Sequence, residues 1–479
     1  MRELKVKNWL LAILVLFLVG DLGYSFVQHY YHSLDGDIAA IVVPAEWYQQ
    51  VIDDPFGISV LKEGKEYAST NRHFANNSLR IYFRTVPNWL QTFIPPIKSV
   101  YFAAALIKIV IQFLLILVLS AYVSPSKKLW SKEGIVAAAL ITPLFQTEGF
   151  NSFMGIIDHS ITYLFFYALP ILGILIFFLP YFKKFYQNKF FKTWWLFPLL
   201  PLAVYLSFHG PLNPPVIIMI VGLMILGLTV NTFFQKGNKN VITTLKSLPY
   251  RHFILPICFA LLCLYSFYIG TFNLEGKDMV KPLGERYLIL LKALPYYFTN
   301  KIGLPLLIIT IIINCIILFK NRENTAAKKL LIFFGWLVIF SVIYVLLLPL
   351  GGYRSYRPMI IRYDTFMPVT ILLIYAFAAS SLFLFKSMEG KGKFIHLAFI
   401  ILVLTIFTVA DKPYLSRKDC EHSAFASIAT ATEPVLKFEN NCNIMSWLPL
   451  TYPDASITNV KLLKHWNIVD KDKEIRYYH

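Results

Sequence analysis

The sequence predicts an all-α polytopic membrane protein of about 11 transmembrane helices, with a helical first extracytoplasmic loop and a small C-terminal extracytoplasmic domain. Three observations carry this expectation. Of 479 residues, 57% are hydrophobic and only 15% are charged, too apolar a mixture for a soluble chain of this length. Long uncharged runs recur along the whole chain, each of a length suited to a bilayer crossing or nearly so. Aromatic residues make up 16%, as expected where many helix ends sit in the interfacial belt. The net charge of +18 does not point to nucleic acid. The basic residues fall into short loops between apolar runs, where they set orientation and meet anionic lipid.

In chain order the apolar runs lie at 9–27, 98–123, 134–146, 160–181, 194–207, 215–234, 253–270, 302–319, 330–349, 366–385 and 394–410. The third and fifth are short and Pro-flanked, which suits tilted or partly re-entrant segments. The first run follows a basic start (Arg2, Lys5, Lys7). It is long and is followed by no small-x-small cleavage site, so it reads as a retained anchor helix.

Lys and Arg set the orientation. With the N-terminus in the cytoplasm, every inside segment is basic, for example Lys127, Lys128 and Lys132, or Lys183, Lys184, Lys189 and Lys192, whereas the short outside loops 147–159 and 208–214 carry neither Lys nor Arg. An odd number of spans then sends the C-terminus outside. The pattern fits a multi-pass protein of a bacterial inner (cytoplasmic) membrane.

The outside face is the elaborate one. Residues 1–410 form the transmembrane module, whose first outside loop, 28–97, contains helical stretches at 45–51 and 72–84. That loop returns through Trp89–Pro96, an amphipathic, Pro-punctuated segment expected to lie flat in the interface. Loop 271–301 has a basic amphipathic segment at 285–292. The tail, 411–479, reads as a small appended domain. Cys420 and Cys442 are the two cysteines outside apolar runs, share an oxidising compartment and are expected to pair. Cys258, Cys263 and Cys315 lie in apolar runs and read as packing residues.

The candidate chemistry begins just past the first span, at Asp35-Gly36-Asp37. Two carboxylates one residue apart can converge on a cation, or one can act as base while the other orients. The same tripeptide is also a common solvated turn. Asp37 is favoured as the base, because it leads into Ile38–Val42, whose apolar character would hold the carboxylate partly desolvated at the membrane surface.

The acidic D-x-D motif after the first helix, the long helical first loop, the eleven or so helices and the outside C-terminal domain together resemble the GT-C superfamily of membrane glycosyltransferases. That resemblance implies a polyprenyl-phosphate- or polyprenyl-diphosphate-linked sugar donor. It also implies a first-loop acid, here Asp35 or Asp37, that serves as general base or places the acceptor. The tail has no W-W-D-x-G motif, so the resemblance does not extend to transfer onto protein asparagine.

The second outside loop supplies Glu148, Asp158 and His159, matching a second acidic site that several such enzymes place there, often near a metal. Helix capping is the alternative for Asp158. His209, at the outer end of the fifth run, suits an interfacial structural role. The stretch 351–364 places Tyr353, Arg354, Arg357 and Arg362 in a short outside loop. Arginine forks suit phosphate oxygens, with headgroup anchoring or an Arg362–Asp364 pair as the alternative. Arg72 and Arg286 are further candidates for the same anion. A divalent cation (Mg or Mn) could sit among Asp35, Asp37 and Asp158. Lys108 and Asp21 are ionisable groups within spans, which usually face the bundle or a cavity.

The expected function is therefore transfer of a sugar, with inversion, from a lipid-linked donor to a glycan, lipid or protein acceptor on the extracytoplasmic face. A transporter or flippase of lipid-linked anions and a non-catalytic envelope-assembly subunit are the alternatives.

Overall fold

A computed structural model describes residues 6–126, 128, 130–236, 250–275, 281–353 and 358–479. It is 71% helical with almost no sheet. Helices occupy each of the 11 apolar runs, and among the described residues 8 are long and apolar enough to cross a membrane: Asn8–Tyr30, Pro96–Val123, Ile161–Phe185, Asn213–Val230, Gly303–Lys320, Thr325–Gly351, Tyr363–Ser387 and Gly390–Ala410. Thr193–Ser207 and Ile254–Gly270 are shorter apolar helices. The run at 134–146 is a ten-residue helix, Lys132–Ile141, continued by one tight turn.

Tyr363–Ser387 is the axis of the bundle; its apolar window is 89% buried, against 6% for Asn8–Tyr30 at the edge. The small residues Ala376, Ala378, Ala379, Ser380 and Ser381 let neighbouring helices approach it. Asn314, from Gly303–Lys320, donates to Ser380 and Ser381 at 2.9 and 3.1 Å and lies 2.8 Å from His396 Nε2, so three helices share one buried polar junction. Around the outside, Leu16, Val19 and Phe197 are exposed large apolar side chains, as a lipid-facing surface requires.

On the elaborate face the first loop folds into four helices, Ile38–Val42, Glu46–Asp53, Ile58–Glu63 and His73–Leu90. The last runs further than expected: Trp89 belongs to it, and a short turn then leads to the next span, which starts at Pro96. The amphipathic segment 285–292 lies within a helix, Leu283–Thr299.

The tail folds as helix Asp419–Thr430, helix Ile457–His465 and two short parallel strands, Val435–Lys437 and Arg476–Tyr478. Cys420 and Cys442 form a disulfide, as their shared location predicted. The tail docks on the first loop: the buried Trp466 donates its indole N–H to Phe83 O at 2.8 Å, and Gln91 Nε2 donates to Trp466 O at 2.6 Å.

Candidate functional site

The two acids of the first loop have different surroundings. Asp35 is buried, and its carboxylate accepts five hydrogen bonds. Oδ1 takes Asp37 N (3.0 Å), Ile38 N (3.2 Å) and Thr162 Oγ1 (2.8 Å); Oδ2 takes Ser160 Oγ and Thr162 N, both at 2.8 Å. One side chain thus starts the helix Ile38–Val42 and pins it to the mouth of the span Ile161–Phe185. Both oxygens are engaged, which argues against the base and metal-ligand roles considered for Asp35.

Asp37 is half-buried, and its Oδ1 accepts the indole N–H of Trp447 from the tail at 3.1 Å. Trp447 packs on Tyr163, ring centroids 5.7 Å apart. Gly36 makes the approach fit, because a Cβ there would lie 2.5 Å from Trp447 N. Beside Asp37, the turn and the tail enclose an open pocket of about 420 Å3, bordered by Gly36, Ala40, Trp47 and the tail segment from Met445 to Tyr452.

Glu421 holds this tail segment in place. It is buried and accepts Leu34 N (2.9 Å), Met445 N (2.9 Å) and Tyr101 OH (3.0 Å), so it ties first loop, tail and second span together. Burial raises its carboxyl to about 7, against the pull of those three donors. Nearby, the Lys418 ammonium sits 3.2 Å from the Tyr30 ring centre, with Tyr31 and Tyr101 at 4.6 and 4.9 Å. Burial pulls it down to about 8.

The loop 147–159 carries a separate charged network. His32 Nε2 lies 3.0 Å from Glu148 Oε1, Arg417 Nη2 donates to Glu148 Oε2 at 2.7 Å, and Arg417 Nη1 lies 3.2 Å from His159 Nδ1. Lys108, buried in its span, donates to His159 O at 2.5 Å and lies 3.1 Å from His32 Nδ1. Asp411 gathers the backbone N–H groups of Thr147, Glu148 and Gly149 and so shapes the loop.

An ammonium at Nδ1 and a carboxylate at Nε2 make neutral His32 the Nε2–H tautomer. His159 is the same tautomer, since Nε2 donates to Thr147 O at 2.8 Å. Burial and the nearby cations Lys108 and Arg417 hold both imidazoles well below the usual range, His159 at about 3. Burial raises Glu148, opposed by Arg417. His32, Glu148 and His159 have ligand atoms within 4.8 Å of one another, a spacing that a metal could use. The arrangement fits a metal poorly, however, because two cations already face the group and both Nε2 atoms carry protons.

The other candidates are placed as follows. Asp158 is buried and accepts Ser160 N at 2.7 Å; the helix cap is Ser160, whose Oγ accepts Tyr163 N. Burial raises Asp158, with Tyr363 and Ser160 N acting the other way. Arg362 forms the local pair with Asp364, 3.0 Å apart, at the head of the central helix. Arg354 and Arg357 lie outside the described residues. Tyr353 lies under the Lys281 ammonium at 5.0 Å. Arg286 donates to Lys281 O and Pro349 O, so its fork closes a loop. Arg72 meets Glu275 at 3.1 Å, and Glu275 also accepts from Ser69 and Tyr48. Tyr48 is pushed up by burial, by Glu275 and then by Asp37, so Arg72 and Asp37 share one neighbour. His209 Nε2 donates to Phe165 O at 2.8 Å, in a wide π-type turn, a structural role as expected.

Sequence reasoning did not single out His32, Arg417, Lys418, Glu421 or Trp447. Only His32, in a His-rich end to the first span, carried a local signal. Compared with models of protein families and with curated proteins, the sequence matches none.

Proposed function

We propose that the protein is a membrane glycosyltransferase of GT-C type, working on the extracytoplasmic face with a polyprenyl-(di)phosphate-linked sugar donor. The reading includes eleven spans in a bacterial inner membrane, with the N-terminus inside and the tail outside. Its main support is the contrast within the acid pair: Asp35 is spent on five donors, whereas Asp37 is half-buried beside an open, aromatic-walled pocket. Asp37 is therefore the base. It removes the proton of an acceptor hydroxyl as that oxygen bonds to the anomeric carbon. The bond to the donor phosphate breaks on the opposite face, and the lipid phosphate leaves with the electron pair, which inverts the centre. Arg354 and Arg357 are assigned to the phosphate; Arg362, from the same stretch, is paired with Asp364 and adds to their positive charge.

The test is transfer from a radiolabelled polyprenyl-phosphate sugar pool to membrane acceptors. Asp37→Asn is expected to cost about 10²–10⁴-fold in rate with expression unchanged. Parent-like transfer by that variant removes the reading.

A further inference from the structure

The pocket beside Asp37 is built from two distant parts of the chain, and its wall chemistry is mixed. Trp47 from the first loop and Trp447 and Tyr452 from the tail contribute exposed aromatic rings. Ser446, Thr451 and Thr458 contribute hydroxyls. Ser446 Oγ is a buried atom that makes no hydrogen bond among the described residues. A lipid chain offers no hydrogen-bond partner to that hydroxyl or its neighbours. A hydroxylated ring satisfies both kinds of wall: its axial C–H bonds carry slight positive charge and sit on the negative face of an indole, and its hydroxyls meet the pocket hydroxyls. The volume, about 420 Å3, lies in the range of about 300–1,000 Å3 usual for small-molecule sites. Trp447 links the pocket to chemistry, because its N–H is bonded to the carboxylate assigned as base.

We propose that this pocket is the acceptor subsite and that it takes a saccharide ring, so that the acceptor is a glycan rather than a lipid or a peptide. The proposal rests on the glycosyltransferase reading for the word acceptor, but not for the ligand class. Trp447 and Trp47 grip the ring from the tail and first-loop walls. The tail thereby acts as part of the binding site, and its docking on the first loop decides which sugar hydroxyl faces Asp37.

The experiment uses the full-length protein in nanodiscs on a printed array of oligosaccharides containing hexoses, N-acetylhexosamines, deoxyhexoses and uronic acids. The parent is expected to bind at least one of these classes. Trp447→Ala is expected to weaken that binding about tenfold or more, and Trp447→Phe, which keeps a ring face, much less. Trp47→Ala, on the first-loop wall and outside the tail, should weaken it likewise and guards against a misfolded tail in the Trp447 variants. Binding of no saccharide by the parent, or undiminished binding in both Trp→Ala variants, overturns the proposal. Saccharide binding without any transfer activity would leave the subsite standing and remove the enzyme reading instead.

Discussion

Trp447 and Asp37, 410 positions apart in sequence, share a 3.1 Å hydrogen bond at the meeting point of the tail and the first loop. Gly36 is what allows the tail backbone so close. A Cβ at this position would lie 2.5 Å from Trp447 N and 2.9 Å from the Ser446 carbonyl carbon. Both are backbone atoms, so no rotamer change relieves the clash. Gly36→Ala should therefore push the tail segment away, costing about 1–3 kcal/mol and shifting tryptophan emission. Parent-like melting and emission would mean that the contact is loose.

Asp35→Asn should behave unlike Asp37→Asn. The amide puts an N–H₂ where Asp35 now accepts, facing the hydroxyl of Ser160 or Thr162 and backbone N–H groups. Two donors then oppose each other in a buried site, at a cost of about 1–3 kcal/mol for each group left unpaired. Thermal unfolding of the two purified variants decides the point: Asp35→Asn is expected to melt well below the parent and Asp37→Asn close to it. A turn role alone would leave both near the parent, since asparagine is a good turn former.

Glu148→Gln should loosen the join between second loop and tail. The carboxylate offsets Arg417 and Lys108 together, and its loss leaves two cations near neutral imidazoles. Arg417 is 34% exposed, so water absorbs part of the penalty, and the loss should fall below the about 3–5 kcal/mol typical of a fully buried pair. Faster proteolytic cleavage around residues 412–417 in the folded variant is the readout, and an unchanged cleavage rate would argue that Asp411 alone shapes the loop.

The spans were legible because lipid demands long apolar runs, and Gly303–Lys320 or Gly390–Ala410 can be little else. The disulfide was legible from position, because Cys420 and Cys442 are the two cysteines outside the apolar runs. The site was legible only in part. Asp35, Asp37, Glu148, Asp158 and His159 stand near hydrophobic boundaries, so each drew notice. Their partners Arg417, Glu421 and Trp447 lie in a polar tail where nothing local separates them from solvated neighbours. Which of two acids is an anchor depends on Ser160 and Thr162, more than a hundred positions away, and no spacing rule reaches that far. The Arg362–Asp364 pair, by contrast, is local and was foreseeable.

Glu421 should make the fold pH-sensitive in a defined direction. Burial raises its carboxyl from an ordinary 4.5 to about 7. Between those values the native state holds one proton that the unfolded chain has released. Raising the pH through that window therefore withdraws stability, up to about 3 kcal/mol, and the loss is complete above the native value. Glu421→Gln removes the titration: its oxygen still accepts from Leu34, Met445 or Tyr101, but it cannot ionise. Near pH 4.5, where the parent's Glu421 is itself neutral, the variant should start close to the parent, and it should then lose less on the way to pH 7.5. The quantity to measure is the melting temperature of the variant minus that of the parent across this range. A difference that climbs with pH is expected. A flat difference would mean that Glu421 is already ionised at the lower end, held as a carboxylate by its three donors, and that its role in seating Trp447 carries no pH dependence.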